Sequence, residues 1–278
     1  MLRFALLGAG ALLIGCPGPS GDLYEIQVQP LVDGTPFSCS TPMSNLGVTG
    51  ATRRTKDFRM YLHDVQLIEA DGTRVDLELE DDDEFQGDDV VLLDFADGTG
   101  DCDDANGTTN DLVIGYAPEG TVPVGVEFRV GMPPELNHLD AATAEPPLND
   151  TGMWWTWSGG FKWVRLELLD DADELFYFHH GATGCDGSPS DGFDCAYQND
   201  TRILIDAFDP DTQVLGMDVS ALFAGNDFDA PIDFAAGDFI KGCMAFSGDP
   251  ECQPIFESLG INFEDTTEGP SQVVFSAL

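Results

Sequence analysis

Positive charge is what this 278-residue sequence has least of: 11 Lys and Arg stand against 51 Asp and Glu, a formal net charge of −40. A surface of that sign repels phosphate backbones and anionic headgroups. Nucleic acid is thereby excluded as a partner, and a membrane is reachable only through an anchor. Cations or a basic protein face would complement such a surface, and solvation in a salty medium accounts for most of the acids without any partner. Histidine is nearly as scarce, with only His63, His138, His179 and His180. No GxSxG, HExxH or P-loop occurs, and no nucleophile–base pair assembles, so the sequence does not read as an enzyme. No CxxC pair is present, which argues against a thiolate metal site. Helical periodicity is weak, confined to 219–224 and 252–259. After the N-terminus no apolar run is long enough to span a bilayer. Core material is not lacking, however: 42% of residues are hydrophobic and 10% aromatic, which excludes a disordered chain.

Residues 1–16, MLRFALLGAGALLIGC, place one basic residue, Arg3, before a short apolar run. This pattern is that of a signal peptide. Leu13-Ile14-Gly15-Cys16 resembles a bacterial lipobox, which makes Cys16 the lipidated first residue of the mature chain. An ordinary secretion signal is the alternative. Either way the protein is exported, to the periplasm or, lipid-anchored, to the outer membrane or cell surface. Residues 17–22 form a short tether. Setting Cys16 aside leaves Cys39, Cys102, Cys185, Cys195, Cys243 and Cys252, and an even number in an exported chain points to three disulfides. Six cysteines allow many connectivities; proximity favours Cys185–Cys195 and Cys243–Cys252, leaving Cys39–Cys102.

From residue 23 onward, short runs alternate apolar and polar residues with the period of a strand. Tyr24, Ile26 and Val28 do so, as do Phe58, Met60 and Leu62. Asp71-Gly72 is a hairpin signal with Val75, Leu77 and Leu79 beyond it. Further strands are expected at 89–95, 122–130, 161–168, 174–179, 201–207, 214–219 and 272–276. Nothing marks a domain boundary. The expectation is one all-β domain over 23–278, a sandwich or barrel-like fold with long acidic loops and disulfides.

Two Gly-rich acidic stretches, 96–110 and 186–200, have the composition of calcium-binding loops, but neither holds the DxDxDG spacing, and solvated turns explain them as well. The four tryptophans, Trp154, Trp155, Trp157 and Trp163, all fall within 152–168, GMWWTWSGGFKWVRLEL. In a continuing strand Trp155 and Trp157 would share one face and Trp154 the other. Among the histidines, Asn137-His138 sits in a loop after Pro133-Pro134. His179 ends an apolar strand, and its neighbour His180 would point to the opposite face. His63, inside the strand MYLHDV, reads first as a packing or surface residue. Imidazoles near indoles would suit copper or zinc, with the lack of a carboxylate ligand motif favouring copper.

These elements together resemble the MbnP-like family, the four-Cys-motif protein of the metallo-mystery pair. The resemblance runs through Phe37-Ser38-Cys39, MYLHDVQLIEADG (60–72), LLDFADGTGDC (92–102), VEFRVGMPPELNHLD (126–140), PPLNDTGMWWTWSGGFKWVRLEL (146–168), FHHGATGC (178–185) and KGCMAFSGDPECQPIFESLGI (241–261). The Asn-His and Met-x-Trp-x-Trp elements, followed by Gly-aromatic-Lys-aromatic, are jointly specific. Gly160-Phe161-Lys162-Trp163 stands where the family usually shows Gly-Tyr-Lys-Phe, and His180 where Leu is usual.

The resemblance implies a protein that serves as the substrate of a partner di-haem enzyme of the MauG and cytochrome c peroxidase kind. That partner oxidises a tryptophan to kynurenine, and copper binding depends on the conversion. The physical sense is that an indole N–H can only donate, whereas kynurenine carries an amine and a ketone. Trp155 is the first candidate for modification and Trp157 the second; Trp154 and Trp163 are expected to pack. His179 and His138 are the expected copper ligands, with His63 in reserve. The alternative is a structural or adhesive surface sandwich that binds calcium.

Overall fold

The structure is a computed structural model, and the residues described are 20–102, 107–232, 240–246, 248–263 and 267–278. The leader, Cys16 and residues 17–19 of the tether lie outside them, as do residues 103–106 of the first acidic stretch.

Sequence alternation becomes two facing sheets. The smaller, six-stranded sheet is ordered Phe275–Ala277, Leu215–Asp218, Asp22–Val32, Leu112–Ala117, Glu78–Leu79, with Thr35–Pro36 folded back on Asp22–Val32. Along Asp22–Val32, Tyr24, Ile26 and Val28 are buried while Leu23, Glu25 and Gln27 are exposed, the period of two that the sequence carries. The larger, ten-stranded sheet is built on one strand of 19 residues, Ala51–Glu69. One edge of this spine pairs with Val164–Leu169 and, further along, with Pro123–Val130. The other edge takes Met43–Leu46, Val90–Asp94 and Arg74–Asp76. Leu175–His180 extends the sheet beyond Val164–Leu169, and Thr201–Ile205 beyond Pro123–Val130. Neither sheet closes on itself, so the fold is a sandwich and not a barrel.

The main core lies between the sheets. Phe58, Met60, Leu62, Leu166 and Phe178 from the larger sheet meet Ile26, Val28 and Val113 from the smaller one. Asp64, at φ 50, interrupts the spine, so that the inward positions are 58, 60 and 62 before it and 65 and 67 after it. The helix Cys252–Leu259 buries Ile255, Phe256 and Leu259 against this core and stops at the left-handed Gly260.

A second core covers the outer face of the larger sheet. Tyr61, Val90 and Leu92 from the sheet pack there with Met132, Leu148, Met153, Phe161 and Trp163. The segment 131–163 is therefore a packed cap with little regular structure. The stretch 186–200, expected to be an acidic loop, is mostly a β-hairpin, Thr183–Ser188 against Gly192–Tyr197. Its Cys185 and Cys195 stand opposite each other in register and are disulfide-bonded. The other bonds are Cys39–Cys102 and Cys243–Cys252, the pairing that proximity favoured. Among the described residues no helix is long and apolar enough to cross a membrane.

Phe178 is fully buried between the sheets, whereas Phe246 is 56% exposed. Replacing Phe178 with Ala is expected to cost about 3–5 kcal/mol of stability in urea denaturation, and the same change at Phe246 under about 0.5 kcal/mol.

Candidate metal centre

The tryptophan segment is held at both ends. Asp150 caps the short turn Thr151–Met153, accepting from the Gly152 amide at 2.8 Å, and the chain then forms a small hairpin, Trp154–Thr156 against Gly160–Phe161. The first strand ends at Thr156, so Trp157 sits in the turn. The expectation that Trp155 and Trp157 share a face is not met. The Trp157 ring packs edge-on against Trp154, with centres 5.7 Å apart, while Trp155 turns toward His179, 6.4 Å away. Glycine is required at 181, where a Cβ would lie 2.7 Å from the six-membered ring of Trp155. Trp163 is buried, and its indole donates to the side-chain oxygen of Asn137 at 2.9 Å. Asn137 also accepts from the Phe161 amide at both of its oxygens. The Asn of the Asn-His element is thus a clamp on the hairpin.

Beneath the cap, strand register sets out a block of charge. Across three neighbouring strands Arg59, Arg165 and His179 form one row, and Asp57, Glu167 and Tyr177 the next. Asp57 accepts from Arg59 and pairs with Arg165 at 3.0 Å. Glu167 accepts from Arg165 at 2.8 Å and from His179 Nε2 at 2.7 Å. Arg59 reaches Asp150, tying the row to the cap. Lys162 Nζ donates to the Gly152 carbonyl at 2.7 Å. Burial, with the Arg165 guanidinium nearby, lowers Lys162 to about 8. Burial alone would raise Glu167, but hydrogen bonds from His179 and Arg165 outweigh it and hold this carboxyl at about 2. Burial depresses His179, with Glu167 opposing. An ionised Glu167 accepting from Nε2 fixes the neutral His179 with its proton on Nε2. Its Nδ1 then carries a free lone pair, and that atom is buried with no hydrogen-bond partner. The Trp155 Nε1 is buried and unpartnered too. A histidine held by a carboxylate on one nitrogen, with the other bare, is the usual arrangement of a metal ligand.

Of the remaining histidines, His138 and His63 are engaged by polar neighbours, while His180 keeps a buried Nδ1 without a partner but sits in an apolar surround. His138 Nδ1 donates to the Trp157 carbonyl at 2.8 Å, its Nε2 accepts from Asn137 at 3.2 Å, and its ring stacks on Phe193. His63 Nε2 meets Asp200 at 3.2 Å, on the part of the sheet that pairs with Pro123–Val130. His180 points to the opposite face from His179, as expected. It lies among Trp163, Phe178 and Phe256 and donates from Nε2 to the Asn199 carbonyl. Burial pushes it down to about 4.

Two cavities flank the hairpin. One, of about 380 Å³, has Trp155, Thr183, Cys185, Met244 and Phe246 in its walls. The other, of about 550 Å³, is lined by His138, Leu139, Trp157 and Phe193. The structure therefore joins His179 to Trp155 and places His138 with Trp157. Sequence reasoning missed Glu167, which is two residues from Arg165 in a strand, and Met244, which is remote in sequence. His138 Nε2 also lies 3.4 Å from Cys195 Sγ, but that sulfur is bonded to Cys185. Of the acids offered to calcium, Asp101 pairs with Arg54, Asp200 with Arg129 and His63, and Asp191 accepts from Ser188.

Comparison with protein-family models matches MbnP over residues 21–245. No curated protein matches the chain. Among solved structures, MbnP from Methylosinus trichosporium is similar, with a TM-score of 0.80 and 29% sequence identity, over 92% of this chain and 98% of that one.

Two outcomes follow from the histidine geometry. Nitrogen NMR of labelled imidazoles at neutral pH will find His179 neutral with its proton on Nε2; an Nδ1-protonated ring or an imidazolium would break the assignment. Stability will fall as the pH drops from about 6.5 toward about 4, because the unfolded chain takes up protons that buried His179 and His180 do not. In urea titrations across that window, His180→Gln will flatten the slope.

Proposed function

The chain belongs to the MbnP family, and from that premise we propose that it is an exported copper-binding protein whose Trp155 is oxidised to kynurenine by a partner di-haem enzyme of the cytochrome c peroxidase and MauG kind. The observation that carries the reading is the pair of buried, unpartnered nitrogens, His179 Nδ1 and Trp155 Nε1, on neighbouring rings. A buried polar atom left without a partner costs about 1–3 kcal/mol. His180 Nδ1 and Trp154 Nε1 are also unpartnered, but His179 and Trp155 are the two whose rings lie against each other, with Trp155 opening onto a cavity.

The donor set fits copper. The neutral imidazole of His179 offers Nδ1. The thioether of Met244, in the wall of the Trp155 cavity, is a soft donor of the kind that favours cuprous copper. Trp155 as indole offers a metal nothing, since its nitrogen lone pair belongs to the ring system. Oxidation changes that. The C2–C3 bond of the indole breaks, two oxygen atoms enter from water, and four electrons and four protons leave. Hydrolysis then releases the formyl carbon as formate. Peroxide reduced to water at the partner's haem takes up the electrons. The product presents an amine and a ketone in place of a lone donor. Glu167 holds the His179 ring in its ligating tautomer, and Arg165 holds Glu167. His138 is left out of the set, because both of its nitrogens are engaged.

In this reading the protein is a substrate of its partner and a metal binder, not a catalyst. Cys16 anchors it by a lipid on the periplasmic side of the outer membrane or at the cell surface. Of the carboxylates the calcium alternative would draw on, Asp101 and Asp200 are already paired with arginines.

Protein co-produced with a di-haem peroxidase of its host, and protein made alone, are to be compared by peptide mass spectrometry and metal analysis. With the partner, Trp155 carries the kynurenine mass and the chain holds about one copper. Without it neither is present. His179→Ala keeps the kynurenine and loses the copper, Glu167→Gln weakens copper about 10–100-fold, and His138→Gln changes neither. An unmodified Trp155 beside an active partner, or copper indifferent to His179→Ala, defeats the reading.

A further inference from the structure

We propose that the end of the molecule bearing the tryptophan hairpin is a protein docking face, and that its occupant is the oxidising haem enzyme, presenting a basic rim around an apolar centre. The inference rests on the oxidation reading above and adds to it where the partner sits.

The first observation is the placement of charge. Three segments meet around the hairpin: the cap 131–161, the strand end and disulfide hairpin 182–200, and the short stretch 242–246 that carries Met244 and Phe246. None of the three contains a Lys or Arg. Glu135, Asp140, Asp186, Asp191 and Asp194 all lie in them. Lys241, which adjoins the short stretch, lies near Asp170 and Asp229, and the arginines of the larger sheet are paired elsewhere. Arg54 pairs with Asp101 and Asp173, Arg74 and Arg202 with Glu127, and Arg129 with Asp64 and Asp200. Those nearest the hairpin, Lys162 and Arg165, point into the buried block and at the Gly152 carbonyl. The rim of this end is therefore of one sign, and a partner of opposite sign gains both approach rate and orientation from it.

The second observation is what stands inside that rim. Among the described residues only two large aromatic side chains are exposed, Trp157 at 42% and Phe246 at 56%. They flank the hairpin from its two sides, one in each cavity wall, and Leu139, 39% exposed, stands beside Trp157. Exposed aromatic anchors inside a charged rim are the anatomy of a protein interface. The third observation is location. Trp155 lines the same cavity as Phe246, so a partner seated here lies over the residue it must oxidise.

The test compares two charge-reversed variants for their rate of kynurenine formation with the di-haem enzyme and peroxide. One is Glu135→Lys with Asp194→Lys, on the docking face. The other is Glu25→Lys with Glu78→Lys, exposed on the smaller sheet at the opposite side of the sandwich. At low ionic strength the first is expected to be about tenfold slower than the unaltered protein and to lose most of its salt dependence, while the second stays within about twofold. Trp157→Ser is expected to weaken binding of the partner in a pull-down titration with only a small fall in melting temperature, from the lost edge-on contact with Trp154. Equal rates for the two charge variants, or a slower control, overturns the docking face while leaving the oxidation reading intact. If the unaltered protein acquires no kynurenine, the oxidation reading fails and the docking face with it.

Discussion

The register of three strands is the constraint on which the rest depends. On the inner face of the larger sheet it brings Phe58, Leu166 and Phe178 into one apolar layer. On the outer face the same pairing sets Arg59, Arg165 and His179 beside Asp57, Glu167 and Tyr177. A slip of one residue would turn apolar side chains outward and set charges against the main core, so both faces enforce one register. The block is buried, and buried ions are stabilising only when the network is complete. Here Asp57 and Glu167 each have two cationic or imidazole partners, and the row stops at the unpaired Nδ1 of His179.

The block also requires a cover, which is why a segment with little regular structure is well packed. Asp150 and the Gly152 carbonyl, both at the start of the tryptophan segment, are where Arg59 and Lys162 find their outer partners. Met153, Phe161 and Trp163 then seal the apolar half of the same surface. The cap and the sheet fix one another. The sheet supplies cations that order the turn, and the turn keeps water from ions that would otherwise be solvated. Placement of Trp155 beside His179 is a by-product of that mutual ordering, with Gly181 leaving room for its ring.

Much of this was legible in the sequence, and the boundary is physical. Strand alternation could be read directly because a sandwich strand has one wet face or one different face, as in Asp22–Val32. The helix Cys252–Leu259 was legible for a similar reason, since its apolar spacing faces one core. The cap was not legible: its packing comes from side chains such as Asn137 and Leu148, whose partners lie in other elements. The hairpin showed why local extrapolation fails, since alternation places Trp157 with Trp155 only while the strand lasts, and it ends at Thr156. His138, expected as a companion of His179, stands beside Trp157 with both nitrogens hydrogen-bonded, which its neighbours in the chain do not reveal. Glu167 could have been found by asking which polar residue of FKWVRLEL faces the same side as Arg165. Met244 carried no sequence signal.

The scarcity of basic residues acquires a structural meaning in this light. The sequence has few cations, and the fold places several of them inside or along the larger sheet, where Arg59 and Arg165 neutralise acids that must be buried. Using cations there leaves the exposed acids of the cap uncompensated, while its buried Asp150 is paired with Arg59. Interior and surface electrostatics are thus one arrangement: a buried chain of alternating charge that fixes the His179 ring, and an uncompensated outer rim whose sign selects what can approach the tryptophan beside it. Glu135 lies on the exposed side of the cap and Glu167 beneath it, bonded to Arg165 and His179, so the two sets of charges are separated by the cap.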